Sequence, residues 1–396
     1  MGRPLSPSDL WDIPRVAPPV PSPDGREVVV PVTTYGSGEA STRLWLVPSD
    51  ARRAGAGGRG DPARALTAAD VSASEPAFSP DGRRLAFVRK PGGAKRKGGP
   101  RHPDRPQLYV LDLGGGEAER VTDLPLGVTD PQWFPDGRRI AFLSQVFLDA
   151  PTPEGTAKRL AADAEEPRVH ATEDNVYRFW DAWLAPGKRH HLFAVDLGTR
   201  KVRNLTPRLR GWFDPMDLSG QYAIAPDGRR IAFSACRSKP PHDPMVWGTF
   251  VLRVGPRPAA PRDVTPPDFA EALRPVWSPD GRHLLFTAHT DPYSWAEPLR
   301  LVLCALARRH GRRRCSPRLL HERAAGGASA GGAARRRAGG AAGGRRRPLR
   351  RPRGAASAAR GGAHRRGGPG ADAHGLHGPG AEGDRPRPRA GDRIRR

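Results

Sequence analysis

Cysteine and long apolar runs are scarce in this sequence. The three cysteines, Cys236, Cys304 and Cys315, form no C-x-x-C pair, which argues against a cysteine metal site and does not indicate a disulfide framework. No apolar run approaches the ~20 residues of a membrane-spanning helix. Residues 1–20 contain prolines and acidic residues where a signal peptide needs a basic start and an apolar stretch. We therefore expect a cytoplasmic protein without membrane association.

Lysine is absent from the last quarter of the chain, although the chain as a whole carries a formal charge of +25. Residues 304–396 contain 25 arginines and five acidic residues, whereas the preceding 303 residues contain 41 basic and 36 acidic residues. The basic character therefore belongs to one end. The larger part has the charge balance of an ordinary protein surface, which argues against a nucleic-acid-binding domain there.

A five-residue unit, x-P-D-G-R, recurs five times and is the strongest pattern in the chain. Its prolines are Pro23, Pro80, Pro135, Pro226 and Pro279, at spacings of 57, 55, 91 and 53 residues. Three similar spacings indicate an internal repeat. The long spacing indicates an insertion near residues 148–180.

The chemistry of this unit is that of a tight reversal between two strands. Proline presets φ for the first corner, Asp bonds the nearby backbone, and Gly accepts a positive φ. Short apolar, β-prone runs flank the turns, as in Val276-Trp277 before one turn and Leu284-Leu285-Phe286 after it. A second pair of strand-like runs follows each of the first four hairpins. Four strands in a repeat of about 55 residues are typical of a propeller blade, and we expect the aromatic residue before each turn to pack between blades.

We predict an all-β fold, a β-propeller of about five to six four-stranded blades, and we expect the ring of blades to be incomplete. It covers residues 1–303 and is followed by a basic low-complexity tail over residues 304–396. A β-sandwich built from the same hairpins is the alternative, but the near-constant spacing favours the propeller. Weak helical periodicity occurs only near residues 153–166.

Three further segments carry a resemblance to a known family. They are L-S-P-S-D-L at residues 5–10, Y-R-F-W-D-A-W at 177–183 with H-H-L-F-A-V-D-L at 190–197, and R-S-K-P-P-H-D-P at 237–244. Over residues 5–303 the sequence resembles the N-terminal propeller part of prolyl oligopeptidase-family serine peptidases, of the acylaminoacyl and dipeptidyl peptidase type. The resemblance implies a propeller that filters short or unstructured peptides toward a Ser-Asp-His triad in a following α/β-hydrolase domain.

The tail does not resemble that hydrolase domain. It is rich in Gly, Ala, Arg and Pro and has no Phe, Trp or Tyr, so we predict that it is disordered. We hypothesise a reading-frame shift near codons 303–325, which resequencing of the locus would test. Its arginine runs could bind nucleic acid, non-specifically and without base stacking.

One string in the tail matches the G-x-S-x-G nucleophile elbow, with Ser329 at its centre. A working elbow needs a strand before it and a helix after it, and neither is predicted there. Asp372 and His374 are the acid and base that follow. We interpret the match as a chance occurrence in Gly/Ala-rich sequence and predict no catalytic residue, no cofactor and no metal site.

The histidines His190, His191 and His242 could suggest a metal cluster. Adjacent residues of a strand point to opposite faces, so joint ligation by His190 and His191 is not expected. Two functions remain. The first is the substrate-gating propeller of a serine peptidase, catalytically incomplete in this chain. The second is a stand-alone propeller of the TolB-like or WD type that binds a peptide or protein.

Overall fold

Five antiparallel sheets of four or five strands follow one another along the described chain, and each is built around one x-P-D-G-R turn. The structure is a computed structural model, and it describes residues 4, 6–36, 39–50, 63–68, 70–90, 102, 104–163, 172, 177–179, 182–184, 187–215, 217–239, 246–291, 297–309 and 312–319. The chain divides into two compact units, Met1–Ser329 and Ala330–Arg396. The second unit lies outside the described residues.

Each sheet is a blade whose strands lie in chain order. Blade 1 contains β1 (Arg15–Val16), β2 (Val20–Pro21), β3 (Glu27–Gly36), β4 (Glu39–Pro48) and β5 (Arg64–Ala65). Blade 2 contains β6 (Ala73–Phe78), β7 (Arg84–Arg89), β8 (Gln107–Asp112) and β9 (Glu119–Arg120). Because β1 and β2 both pair with β3, they act as one interrupted first strand.

Blade 3 carries additional elements between its second and third strands. It contains β10 (Thr129–Trp133), β11 (Arg139–Phe147), β14 (Lys188–Asp196) and β15 (Val202–Asn204). The helix α2 (Pro153–Asp163) and the hairpin of β12 (Arg178–Phe179) and β13 (Ala182–Trp183) lie between β11 and β14. This is the region in which the sequence predicts an insertion.

The last two blades complete the series. Blade 4 contains β16 (Tyr222–Ile224), β17 (Arg230–Cys236), β18 (Trp247–Arg253) and β19 (Arg262–Asp263). Blade 5 contains β20 (Glu271–Trp277), β21 (His283–His289), β22 (Arg300–Arg309) and β23 (Arg312–Leu319). A short helix, α1 (Asp9–Asp12), precedes blade 1. The predicted all-β propeller of four-stranded blades is confirmed.

The fifth blade continues past residue 303, where the sequence analysis ended the propeller. Strand β22 runs to Arg309 and pairs antiparallel with β23. The pairing uses backbone groups, which any residue except proline can supply in full, so the change in composition at this point does not end the sheet. Cys304 on β22 is disulfide-bonded, which the sequence analysis did not foresee. Cys236 is buried, and its sulfur lies 3.2 Å from the Ser238 hydroxyl.

The predicted turn chemistry is present in the structure. In the second x-P-D-G-R turn, the Ser79 hydroxyl donates to Asp81 Oδ1 at 2.5 Å, and the Arg83 N–H donates to the same oxygen at 3.1 Å. These bonds favour the ionised carboxylate and lower the pKa of Asp81. Gly82 has φ of +71°, a conformation that a side chain disfavours. The turns around Asp24 and Asp280 have the same bonds.

Successive blades are held together by buried apolar faces. One buried cluster joins each of the four pairs of successive blades. In three of them an alanine on the second strand of one blade shares a cluster with a phenylalanine on the second strand of the next blade: Ala86 with Phe142, Ala141 with Phe233, and Ala232 with Phe286. Small and large side chains therefore alternate across these interfaces, as close packing requires.

A polar latch accompanies the apolar contact between blades 2 and 3. Trp133, the aromatic residue before its turn, donates its indole N–H to the Ala77 carbonyl of blade 2 at 3.0 Å. The Arg84 guanidinium of blade 2 lies 4.8 Å from the Trp133 ring centroid and donates to the Gly137 carbonyl at 2.5 Å. The expectation that this aromatic packs between blades is confirmed.

The latch recurs between blades 4 and 5. Trp277 donates to the Ala223 carbonyl at 3.0 Å, and Arg230 lies 4.6 Å from the Trp277 ring while donating to Gly281 at 2.9 Å. Blade 4 has Ile224 in the tryptophan position, so the interface between blades 3 and 4 relies on apolar packing there.

Among the described residues, no helix is long and apolar enough to cross a membrane.

We expect Trp133→Phe to destabilise the protein by about 1–2 kcal/mol, because it removes the indole donor and leaves the Ala77 carbonyl without it. A double-mutant cycle of Trp133→Leu, which removes the aromatic ring, with Arg84→Ala should give a coupling of about 0.5–1 kcal/mol from the cation–π contact. Denaturant unfolding measures both. The neighbouring Arg83→Ala is the control and should cost less than about 0.5 kcal/mol. An Arg83→Ala effect equal to that of Arg84→Ala would contradict the latch.

Candidate functional site at the first strands of the blades

The first strands of blades 2, 3 and 5 share a local irregularity that places a charged residue at the same point. The residues are Glu75, Asp130 and Arg274, and each precedes a proline. Their φ angles are +55°, +50° and +54°. The strand register shifts at each of these positions, as in a β-bulge. Positive φ at a non-glycine residue is uncommon and tends to cluster at functional sites.

Two of these residues meet across the interface between blades 2 and 3. The Glu75 carboxylate accepts a hydrogen bond from the Thr129 hydroxyl at 2.9 Å and from the Asp130 backbone N–H at 2.5 Å. Desolvation raises the pKa of Asp130 to about 7, and the negative charge of Glu75 adds to this effect. The two carboxyl groups therefore form a pair in which one member holds a proton near neutral pH.

Blade 4 supports this pair through one aromatic residue. The buried Tyr222 hydroxyl donates to the Asp130 backbone carbonyl at 2.5 Å, and burial raises the pKa of Tyr222 well above its ordinary value. Gln132 donates to the Tyr222 carbonyl at 3.0 Å. Tyr222 thus remains a protonated donor and links the first strands of blades 3 and 4.

The third charged residue, Arg274, joins blade 5 to the segment before blade 4. Its guanidinium lies 2.7 Å from Asp217 Oδ2, and its backbone N–H donates to the Ser234 hydroxyl at 2.8 Å. Both side chains are about half exposed. The ion pair therefore orders two surface segments rather than contributing much stability.

Glu75, Asp130 and Asp217 line a cavity of about 830 Å³. Most of the rest of its described wall comes from β2, β3 and β4 of blade 1, from the first strands of blades 2 and 3, and from Pro215, Leu218 and Ser219. Phe78 and Trp133 add aromatic surface. The described wall residues include no Lys, Arg or His. The cavity has the size of a small-ligand or short-peptide site and an acidic wall, in a chain whose overall charge is strongly positive.

None of the described residues that line this cavity was singled out from the sequence as a site residue. Ser329, Asp372, His374 and His242 lie outside the described residues. His191 is buried, and its ring nitrogens contact the Leu209 carbonyl at 3.0 Å and Asn204 Nδ2 at 2.9 Å.

Burial also keeps His190 and His191 neutral. It lowers the pKa of His190 and of His191 to about 4. Within the described part of the chain, no group of His, Cys, Asp and Glu has the geometry to hold a metal ion.

Sequence reasoning missed the charged residues of the cavity. A signal was present, because Glu75-Pro76, Asp130-Pro131 and Arg274-Pro275 stand at the same distance before the turn unit. A residue before proline is usually extended, so the pattern did not by itself indicate a bulge.

We expect Asp130→Asn to become more stabilising, relative to the parent, as pH rises from about 4 to 7. The raised pKa of Asp130 means that the folded state binds a proton that the unfolded state has lost in this window, so the stability of the parent falls with pH there. Water in the cavity screens the pair, so the gain should be on the order of 1 kcal/mol.

Denaturant unfolding at pH 5 and pH 8 measures this difference. Asp136→Asn is the control, because desolvation of Asp136 is outweighed by hydrogen bonds from the backbone and from Arg139, which lower its pKa. Its stabilising contribution is fully present above the unfolded pKa of 3.8 and is lost only below it, so the cost of this variant should be the same at pH 5 and pH 8. A pH-independent effect of Asp130→Asn would contradict the proposed protonation.

Comparison with known proteins supports a relation to peptidases. The chain is 31% identical over 169 residues to an uncharacterized peptidase, YuxL, of Bacillus subtilis; the match covers 43% of this chain and 22% of YuxL. It is 22% identical over 307 residues to dipeptidyl-peptidase 5 of Porphyromonas endodontalis, covering 76% of this chain and 40% of that protein. The chain thus spans less than half the length of either relative. No protein-family model matches it.

A solved structure gives the same fold. An acylaminoacyl peptidase, in complex with Z-Gly-Gly-Phe-chloromethyl ketone, superposes with a TM-score of 0.50 at 15% identity, over 74% of this chain and 39% of that one. At this identity the likeness concerns the fold alone. With the two peptidase relatives, it confirms the resemblance seen in the sequence: over its blades, the chain is similar to the propeller part of prolyl oligopeptidase-family serine peptidases.

Proposed function

We propose that this chain is the substrate-gating propeller of a prolyl oligopeptidase-like serine peptidase, and that a peptide segment enters the acidic cavity at the first strands. The observation that carries the proposal is the cavity of about 830 Å³ with Glu75, Asp130 and Asp217 in its wall. The peptidase relatives support the reaction class. The blades carry no role in bond cleavage in this proposal.

The wall chemistry supports a preference among peptides. Glu75 supplies most of the negative charge of the wall near neutral pH, because Asp130 holds a proton there and Asp217 is paired with Arg274. With no basic residue in the described wall, this charge favours a ligand with an ammonium or guanidinium group. Phe78 and Trp133 offer apolar area for its remaining side chains. Proline residues in the wall, among them Pro18 and Pro31, keep part of its backbone rigid.

The alternative function is a binding module that needs no peptidase domain. The same cavity would then hold a peptide or a loop of a partner protein as the final event. The two functions differ in the fate of the bound peptide. The gating function requires a hydrolase domain that receives and cleaves the peptide, whereas the binding module does not.

We expect the purified chain to bind a tetrapeptide that contains lysine more tightly than the same peptide with glutamate in that position. Glu75→Gln should lower the affinity for the lysine peptide about fivefold, because one lost charge contact is worth roughly 1 kcal/mol. Trp133 lies in the cavity wall, so its fluorescence can report binding. Asp24→Asn, on an exposed turn, is the control and should leave the affinity unchanged. Equal binding of both peptides would refute the proposed preference.

The same preparation tests the catalytic part of the proposal. We expect no turnover of peptide p-nitroanilides, because no triad is predicted in this chain. Turnover that Ser329→Ala abolishes would show that the G-x-S-x-G string is a working elbow and would overturn the interpretation of that string as a chance match. Turnover that Ser329→Ala leaves unchanged would point to a contaminating peptidase.

For the tail, we propose only non-specific binding of nucleic acid by its arginines. We expect the affinity for a random duplex to fall steeply with salt. Deletion after Ser329, the end of the first compact unit, removes 18 of the 25 arginines of residues 304–396 and should weaken this binding strongly. An affinity unchanged by this deletion would contradict a tail-driven contact.

A cytoplasmic location completes the proposal. Residues 1–20 predict the cytoplasm, whereas disulfides such as that of Cys304 are more common in oxidising compartments. Cell fractionation distinguishes these two locations.

A further inference from the structure

The two ends of the blade series expose most of the large apolar side chains on the described surface. Eight large hydrophobic residues are exposed there. Four belong to blade 1 or the segment just before it: Leu10, Trp11, Ile13 and Val16. Three belong to blade 5 or the residue before β22: Val276, Leu299 and Leu301. Only Tyr177 lies elsewhere. Concentrations of exposed apolar residues of this kind mark interaction sites.

The strand register assigns three of these residues, Val16, Val276 and Leu301, to two faces. On blade 5, Val276 is opposite Leu285, and Leu285 is opposite Leu303. Directly opposite residues share a face, and this face is turned away from the cluster that joins blade 5 to blade 4. We call it the blade 5 end face. Val276 is 55% exposed and Leu301 is 39% exposed.

Blade 1 has a corresponding face on its own free side. Val28, Val30 and Val32 alternate with the buried Val29 that faces blade 2. Trp45 is opposite Val30, and Val16, which is 67% exposed, is opposite Val32. We call this the blade 1 end face. Among the described residues, no buried cluster joins it to the blade 5 end face.

The two end faces match each other in size. Three interfaces between blades pair an alanine with a phenylalanine of the next blade. At the same positions the ends carry Leu285 on blade 5 and Val30 on blade 1. Leu285 is larger than the alanine it replaces, and Val30 is smaller than the phenylalanine it replaces. The summed side-chain volume of the pair therefore changes little, and packing tolerates such volume-conserving substitutions.

The polar latch is absent from both faces. Pro21 of blade 1 stands where blades 3 and 5 have tryptophan, and His283 of blade 5 stands where blades 2 and 4 have arginine. A contact between the end faces would therefore be apolar and less firmly oriented than the contacts inside the chain.

We propose that the blade 5 end face of one copy packs against the blade 1 end face of a second copy of this chain. The contact continues the series of blade interfaces from one molecule to the next. It joins two different surfaces, so each assembly keeps one free face of each kind and can grow further. Two copies would bring ten blades, above the about eight that a closed propeller holds, so a shared closed ring is not expected.

The test uses the full chain in about 1 M salt, where the Debye length of roughly 3 Å removes association driven by the arginine tail. We expect the mass in sedimentation velocity to rise at least twofold between about 1 and about 100 µM protein. Val16→Glu blocks the blade 1 end face, and Val276→Glu with Leu301→Glu blocks the blade 5 end face. Each variant alone should remain monomeric, because contact would bury a carboxylate in apolar surroundings.

The decisive measurement is an equimolar mixture of the two blocked variants. Each retains the face that the other lacks, so the mixture should form a 1:1 dimer and nothing larger. Tyr177→Glu, at the remaining exposed site, is the control and should associate like the parent. Circular dichroism and Tm verify folding, and Leu301→Glu alone replaces the double variant if that one unfolds.

Three results would overturn the proposal. A parent chain that stays monomeric at all concentrations would show that the end faces are covered within one molecule or remain free. Self-association of the Val16→Glu variant would show that blade 5 pairs with itself. A mixture that stays monomeric would show that the two end faces do not bind each other.

Discussion

The interface between neighbouring blades is the interaction on which this structure depends. A four-stranded blade is too thin to bury its own apolar residues, so each blade needs a neighbour on both faces. The alternation of alanine and phenylalanine lets successive faces approach closely, as Ala86 and Phe142 illustrate. The Trp133 and Trp277 indoles then set the relative position of two of the four blade pairs through directional hydrogen bonds.

The candidate site follows from the same interfaces. Glu75 lies on blade 2, and its carboxylate is held by groups of blade 3. The bulges that carry Glu75 and Asp130 have backbone angles that are unfavourable for these residues on their own. The packed blades maintain them and hold two carboxyl groups in the cavity wall despite their mutual repulsion. Desolvation, with the nearby charge of Glu75, keeps a proton on Asp130 near neutral pH.

The end faces show the consequence for a blade that lacks a neighbour on one face. A series of five blades satisfies four interfaces and leaves one face of blade 1 and one face of blade 5 uncovered among the described residues. Exposed Val16 and Val276 are the result. Whatever covers these faces has to supply apolar area, because the polar latch residues are replaced there by Pro21 and His283.

The sequence by itself determined the turns, the order of the strands and the class of the fold. Those features are local: the Asp81 carboxylate and the positive φ of Gly82 act within a few residues, and the spacing of the turns counts the blades. Strand β23 was not foreseen, because its pairing uses backbone groups and leaves little trace in composition. Only the tertiary structure decided which charged residues meet. Glu75 and Asp130 are 55 residues apart, and Asp217 and Arg274 are 57 apart. Their contacts depend on how whole blades pack, and no short-range pattern encodes that.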